Sequence, residues 1–126
     1  MNKLQILCVD DDPIMQRIYN IILSEKYHLD IATTGHEAVQ CCQTKTYDAI
    51  LMDIRLPGLT GFEATAYIHG LDNNCHTPII GITACGWEHL VDDTSKTAFN
   101  QLLNKPIPFE DMLKAIEKAT CRTEVK

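Results

Sequence analysis

The sequence has no basic excess, no long hydrophobic run and few aromatic residues. Lys and Arg number 11 against 17 Asp and Glu, a net charge of −6, so no cationic face is available to neutralise a nucleic-acid backbone. No apolar stretch approaches the ~20 residues that a membrane-spanning helix requires. The opening Met1-Asn2-Lys3 leads straight into a strand-like segment, unlike a signal peptide. These features predict a cytoplasmic chain that contacts neither nucleic acid nor membrane. Six Cys are present (8, 41, 42, 75, 85, 121) but no Cys-x-x-Cys pair, and Cys8 and Cys85 sit in or beside apolar runs, so reduced thiols are predicted rather than disulfides. None of the five His (28, 36, 69, 76, 89) has a His or Cys at helical spacing in a setting that would hold zinc. With no linker, repeat or low-complexity segment, the 126 residues read as one domain over 1–121 with a frayed tail at 122–126.

What the chain does have is a regular alternation of strand and helix signals. Residues 4–9 are apolar except for Gln5, as expected of a strand buried on both faces. Asp12-Pro13 then forms a helix start, with Asp at the N-cap and Pro at the first helical position. Ile14, Ile18, Ile21 and Ile22 follow at helical spacing on one face. A weaker strand is expected over 28–32, and Thr34-Gly35-His36-Glu37 fits a capping box opening a helix through Cys42. Further strands are predicted at 47–52, 79–82 and 101–104. Helices are predicted near 62–69, from Trp87 towards Ala98, and around Phe109, Met112, Leu113 and Ile116. Glu110 and Asp111 suit the first turn of the last of these. Elements alternating in this way require right-handed crossovers and a parallel sheet covered on both faces. The expected architecture is a flavodoxin-like (βα)5 fold with strand order 2-1-3-4-5.

Four of the strands end in chemically distinctive residues: Asp10-Asp11-Asp12, Asp53, Thr83 and Lys105. Parallel sheets bind ligands just beyond the carboxyl ends of their strands, and this strand order sets strands 1 and 3 side by side at the switch point. One site is therefore expected to hold the carboxylates of Asp10 and Asp11 beside Asp53. Clustered carboxylates repel one another and imply a cation, and a Thr hydroxyl and a Lys ammonium are good donors to a phosphoryl group. The predicted chemistry is metal-assisted phosphoryl transfer to a carboxylate.

At these residues the chain resembles two-component response-regulator receiver domains over nearly its whole length. The matching segments are Ile6-Leu7-Cys8-Val9-Asp10-Asp11-Asp12-Pro13, Leu51-Met52-Asp53-Ile54-Arg55-Leu56-Pro57-Gly58 with Gly61, Ile82-Thr83-Ala84, and Asn104-Lys105-Pro106. The resemblance implies that a histidine kinase or histidine phosphotransfer protein phosphorylates Asp53. It also implies a Mg2+ ion bound by Asp11, Asp53 and the main-chain carbonyl of Arg55, with Asp10 acting through a metal-bound water. Asp12 aligns with a variable position and stays a helix cap. Thr83 and Lys105 would hold the phosphoryl oxygens, small Ala84 would leave the in-line path open, and the Lys105-Pro106 bond would be cis. A downstream protein would read the change through the fourth helix, fifth strand and last helix, from about Trp87 to Ile116.

The chain departs from the family pattern at Leu102, where most receivers carry Tyr or Phe, and in the preceding Thr97-Ala98-Phe99-Asn100-Gln101. With no aromatic to swing there, the change is expected to travel through the loop after Thr83. The resemblance implies that Arg55 and Cys85 flank the path of the attacking water, so they are expected to tune phosphoryl lifetime. An aspartyl-phosphate phosphohydrolase shares the carboxylates, Lys and Mg2+, but no acid stands two positions after Asp53. A pseudo-receiver that binds partners without phosphorylation is the other alternative, against which the intact Asp11, Asp53, Thr83 and Lys105 argue. No enzymatic activity is expected beyond self-phosphorylation and autodephosphorylation. A stand-alone regulator, a phosphorelay intermediate and the receiver of a hybrid kinase all fit.

Overall fold

The structure is a computed structural model that describes residues 3–56, 58–84 and 99–120. The expectations for Pro57, Cys85, Trp87, the helix towards Ala98 and the tail at 122–126 lie outside the described residues. Five parallel strands form one sheet in the order β2-β1-β3-β4-β5: β1 (Gln5–Val9), β2 (His28–Ala32), β3 (Ala49–Asp53), β4 (Ile79–Thr83) and β5 (Gln101–Asn104). Four α-helices are described: α1 (Pro13–Leu23), α2 (Gly35–Thr44), α3 (Gly61–His69) and α4 (Phe109–Thr120). None of the described helices is long and apolar enough to cross a membrane.

The unbroken apolar runs follow from burial on both faces. Successive strand side chains point to opposite sides. Ile6 and Cys8 of β1, Ala49 and Leu51 of β3, and Ile80 and Ile82 of β4 pack with Tyr19 and Leu23 of α1 and with Met112 and Ile116 of α4. Leu7, Val9, Ile50, Met52 and Ile79 pack on the other face with Ala38 and Cys42 of α2 and with Ala64 and Ile68 of α3. The same alternation, carried one residue past β1 and β5, assigns Asp10, Asp53 and Lys105 to the α1–α4 side. Among the described residues Cys8, Cys41, Cys42 and Cys75 are free thiols.

Several local signals act as expected. The Asp12 side chain caps α1 by accepting from the Ile14 amide, with Pro13 in the first turn. Thr34 Oγ1 accepts from the Glu37 amide at 3.1 Å. The return bond of that cap goes one residue further back than a capping box would send it, from the Thr33 amide to Glu37 Oε1. A complete capping box stands instead at α3, where Thr60 and Glu63 satisfy each other's amides.

The isoleucine face of α1 is not the face that packs on the sheet. Ile14 and Ile21 are 69% and 68% exposed. Tyr19 and Leu23 face the core, and Met15 and Ile22 pack at its margin. Tyr19 carries a large ring that fills the space under the helix, while its hydroxyl lowers its apparent hydrophobicity. Ile14, Ile18 and Ile21 instead border a shallow surface groove with Pro13 and Arg17.

One glycine is required where α3 meets β3. A Cβ built on Gly61 would lie 2.5 Å from the Asp53 carbonyl oxygen and 2.7 Å from Ile54 Cα. The Gly61 amide donates to the Ile54 carbonyl at 3.0 Å. The start of α3 therefore rests directly on the backbone that carries Asp53.

Candidate functional site

The sheet delivers the predicted residues to one edge. β1 and β3 pair in register with Val9 opposite Met52, so Asp10 and Asp53 leave neighbouring strands at the same level. One carboxylate oxygen from each of Asp10, Asp11 and Asp53 lies within 4.8 Å of the others. Asp10 is fully buried, and Asp53 is 5% exposed. Asp11 is exposed. Lys105 reaches in from beyond β5, its Nζ 3.2 Å from Asp10 Oδ2 and 3.3 Å from Asp53 Oδ2. The Lys105–Pro106 peptide is cis. The Lys105 amide also donates to the Thr83 carbonyl at 2.8 Å, which ties the strand ends together.

Thr83 ends β4, 2% exposed, and Ala84 after it is exposed. The Arg55 side chain is exposed, and its amide donates to Asp53 Oδ1 at 2.9 Å. Leu102 pairs opposite Gly81 and packs on the α2–α3 side of the sheet. A Cβ on Gly81 would lie 2.8 Å from a Leu102 methyl and 2.9 Å from the Phe99 ring. Leu102 and Phe99 thus occupy the space over Gly81, and the Phe99 ring packs tilted against Phe62, with ring centroids 5.3 Å apart. The aromatic missing at Leu102 has a counterpart three residues earlier, packed in the core.

Sequence reasoning missed two residues of α1. Gln16 Nε2 donates to the Asp10 carbonyl at 2.7 Å, and the Tyr19 hydroxyl donates to Asp10 Oδ2 at 3.3 Å. The available signal was their spacing of three, which places both on one helix face. It was hidden because a Gln and a Tyr after a helix start have many ordinary uses.

The electrostatics favour a bound cation. Among the described residues, three carboxylates meet one ammonium. Burial raises the Asp53 carboxyl above its usual range and Asp10 adds to that, with the Arg55 amide and Lys105 only partly offsetting them. Burial alone would lower Lys105, but Asp53 and Asp10 together raise it, so it stays an ammonium. Burial, with the negative charge of nearby groups, also lifts the Tyr19 hydroxyl far above its usual range. A cluster of hard carboxylate oxygens with surplus negative charge suits Mg2+, which prefers oxygen ligands.

Comparison with known proteins agrees with this geometry. Residues 6–117 match the family described as Response regulator receiver domain. The chain is 33% identical over 113 residues to the chemotaxis protein CheY of Halobacterium salinarum, covering 89% of this chain and 92% of that one. It is 30% identical over 106 residues to the signal transduction histidine-protein kinase BarA of Escherichia coli (strain K12), covering 83% of this chain and 12% of BarA. The chain therefore spans about an eighth of that kinase. Among solved structures, the receiver domain of sensor histidine kinase PA1611 from Pseudomonas aeruginosa PAO1 superposes with a TM-score of 0.84 at 32% identity, covering 94% of this chain and 98% of that domain. That domain was crystallised with a magnesium ion coordinated in its active-site cleft. With its strand order, its acidic edge and a family match across nearly all of its length, this chain belongs to the response-regulator receiver-domain family.

Proposed function

We propose that the chain is a cytoplasmic phosphoacceptor signalling domain. It takes a phosphoryl group from a phosphohistidine onto Asp53, with Mg2+ at the site, and in that form changes its binding to a protein partner. The observation that carries this is the setting of Asp53: nearly buried at the end of β3, 3.3 Å from the Lys105 ammonium and within 4.8 Å of the Asp10 and Asp11 carboxylates. Asp11, Asp53 and the Arg55 carbonyl would hold the metal, with Asp10 acting through a water. When bound, Mg2+ supplies charge neutralisation and orientation to the phosphoryl oxygens.

The chain's own residues supply the rest. An Asp53 carboxylate oxygen attacks phosphorus in line. The phosphorus–nitrogen bond breaks, and its electron pair leaves on the donor imidazole, which then takes a proton. The new acyl phosphate brings negative charge to the place where Lys105 now pairs with Asp53, so Lys105 turns to a phosphoryl oxygen. The Thr83 hydroxyl donates to another, and exposed Ala84 leaves the approach unobstructed. The domain acts on its own Asp53 and has no separate substrate. The inward turn of Lys105 and Thr83 is read through β5, α4 and the segment between Thr83 and β5.

The test is incubation with acetyl phosphate and Mg2+, followed by intact mass. One added phosphoryl group is the expected result. Consumption of donor with no lasting adduct would favour a phosphohydrolase, and no reaction at all would favour a binding module that works without phosphorylation.

The exposed apolar face of α1 supports the histidine-bearing partner. Asp12, the N-cap of α1, donates its amide to Asp10 Oδ1 at 3.0 Å, so the helix that carries Ile14 and Ile18 begins at the acidic edge, and its exposed face offers a protein donor an apolar docking surface. Ile14→Glu is expected to slow transfer from a phosphohistidine protein about tenfold, the scale of a moderate interface contact. Phosphorylation by acetyl phosphate should stay unchanged. Equal loss with both donors would place the effect in the site rather than in docking.

A further inference from the structure

The phenol of Tyr19 is fully buried beneath α1 and has a polar end that the proposed chemistry does not use. Phe would fill the same volume. The hydroxyl instead donates at 3.3 Å to Asp10 Oδ2, the oxygen that also lies 3.2 Å from Lys105 Nζ. Asp10 Oδ1 accepts from the Asp12 amide at 3.0 Å. The Asp10 carbonyl accepts from Gln16 at 2.7 Å. The first turns of α1 thus hold Asp10 at its carbonyl and at both carboxylate oxygens.

Lys105 cannot serve Asp10 permanently. It is shared with Asp53 Oδ2 at 3.3 Å, and a phosphoryl group on Asp53 competes for it. Once Lys105 turns away, Asp10 Oδ2 keeps one described side-chain donor, Tyr19. A buried carboxylate that loses a cation and has no other donor would rotate or repel its neighbours.

We propose that Tyr19 is a positioning residue for the metal side of this site, holding Asp10 in the orientation that serves Mg2+ both beside Lys105 in the free site and after Lys105 turns to the phosphoryl group. The proposal rests on the Mg2+-dependent reading above. It acts through Asp10 alone, so its effect must vanish when Asp10 loses its charge. Residues that orient a ligand in this way commonly change metal affinity by tenfold or more, and the 3.3 Å separation is long for a hydroxyl donor to a carboxylate, which places the effect at the low end.

The test is calorimetric titration with Mg2+ of wild type, Tyr19→Phe, Asp10→Asn and the double variant. Tyr19→Phe is expected to weaken Mg2+ binding about tenfold. In the Asp10→Asn background the same change should alter binding by less than about twofold, because coupled residues fail to add. The Mg2+ concentration that half-saturates the rate with acetyl phosphate should rise in Tyr19→Phe, and the rate at saturating Mg2+ should return to that of wild type. A Tyr19→Phe affinity equal to wild type would overturn the inference. So would an undiminished loss in the Asp10→Asn background, or a saturated rate that stays low, since both would trace the effect to packing. Wild type that fails to bind Mg2+ would overturn the reading of the site itself, and with it this inference.

Discussion

Asp53→Asn is expected to abolish phosphorylation and, without metal, to raise the melting temperature. The two side chains are nearly isosteric, and the amide oxygen can still accept from the Arg55 amide that now reaches Asp53 Oδ1 at 2.9 Å. What is lost is the nucleophilic charge, so acetyl phosphate with Mg2+ should add no mass. What is gained follows from the raised carboxyl of Asp53, whose chief cause is burial, followed among the raising effects by the charge of Asp10. A folded value above the unfolded one means that ionisation costs the fold stability. At acidic pH, below the unfolded value, the carboxyl is protonated in both states and the penalty is absent. The penalty appears as pH rises and is complete once pH passes the raised folded value. Lys105 does not become isolated in the variant, since Asp10 Oδ2 remains 3.2 Å away. The metal-free variant should therefore melt a few degrees above wild type at neutral pH, the scale set by about 1 kcal/mol in a domain of this size. The two melting curves should converge under acidic conditions. A phosphoryl adduct on the variant would move the acceptor elsewhere, and a variant that melts lower at neutral pH would contradict the electrostatic account.

Much of the fold was legible because the strands are buried on both faces. Ile6-Leu7-Cys8-Val9 and Ala49-Ile50-Leu51-Met52 carry no polar residue to blur their limits, and each ends at an acid that marks the sheet edge. Asp12-Pro13 fixed the start of α1 by capping chemistry alone. The orientation of α1 was not legible: its four isoleucines outvote one Tyr in any hydrophobic count, yet Tyr19 is the side chain that lies against the sheet. The Thr60–Glu63 capping box of α3 was not legible because Gly61, a poor helix former, stands inside it as the first helical residue. At the site, the strand ends announced Asp10, Asp11, Asp53, Thr83 and Lys105. The convergence of Lys105 on two carboxylates, and the two α1 side chains on Asp10, depend on distances across the sheet edge that no local spacing encodes. Leu102 was visible as a departure, but its meaning needed Gly81 beside it on β4 and Phe99 packed over the same space.

Asp11→Ala is expected to remove the stabilisation that Mg2+ gives the wild type. Mg2+ dehydrates reluctantly and the chain offers it few ligands, so binding should be weak. A ligand that binds only the folded state still stabilises it, by about 1.4 kcal/mol when its concentration is ten times Kd. Asp11 is the exposed member of the acidic trio, which makes it the ligand whose removal disturbs the core least. The metal-free variant should melt close to wild type or slightly above it, because deleting one of three clustered carboxylates relieves repulsion on Asp10 and Asp53. The two effects can therefore be separated: the baseline melting temperature holds while the Mg2+-induced rise disappears. Phosphorylation by acetyl phosphate should fall with it, since Lys105 alone cannot offset the charge brought to a site that already holds Asp10 and Asp53. Ca2+, being larger and tolerant of more ligands, should stabilise the wild type through the same carboxylates and lose that effect in the same variant. If Asp11→Ala kept the full Mg2+-induced shift, the ion would be held by other residues and the assignment of the acidic edge as its site would be wrong.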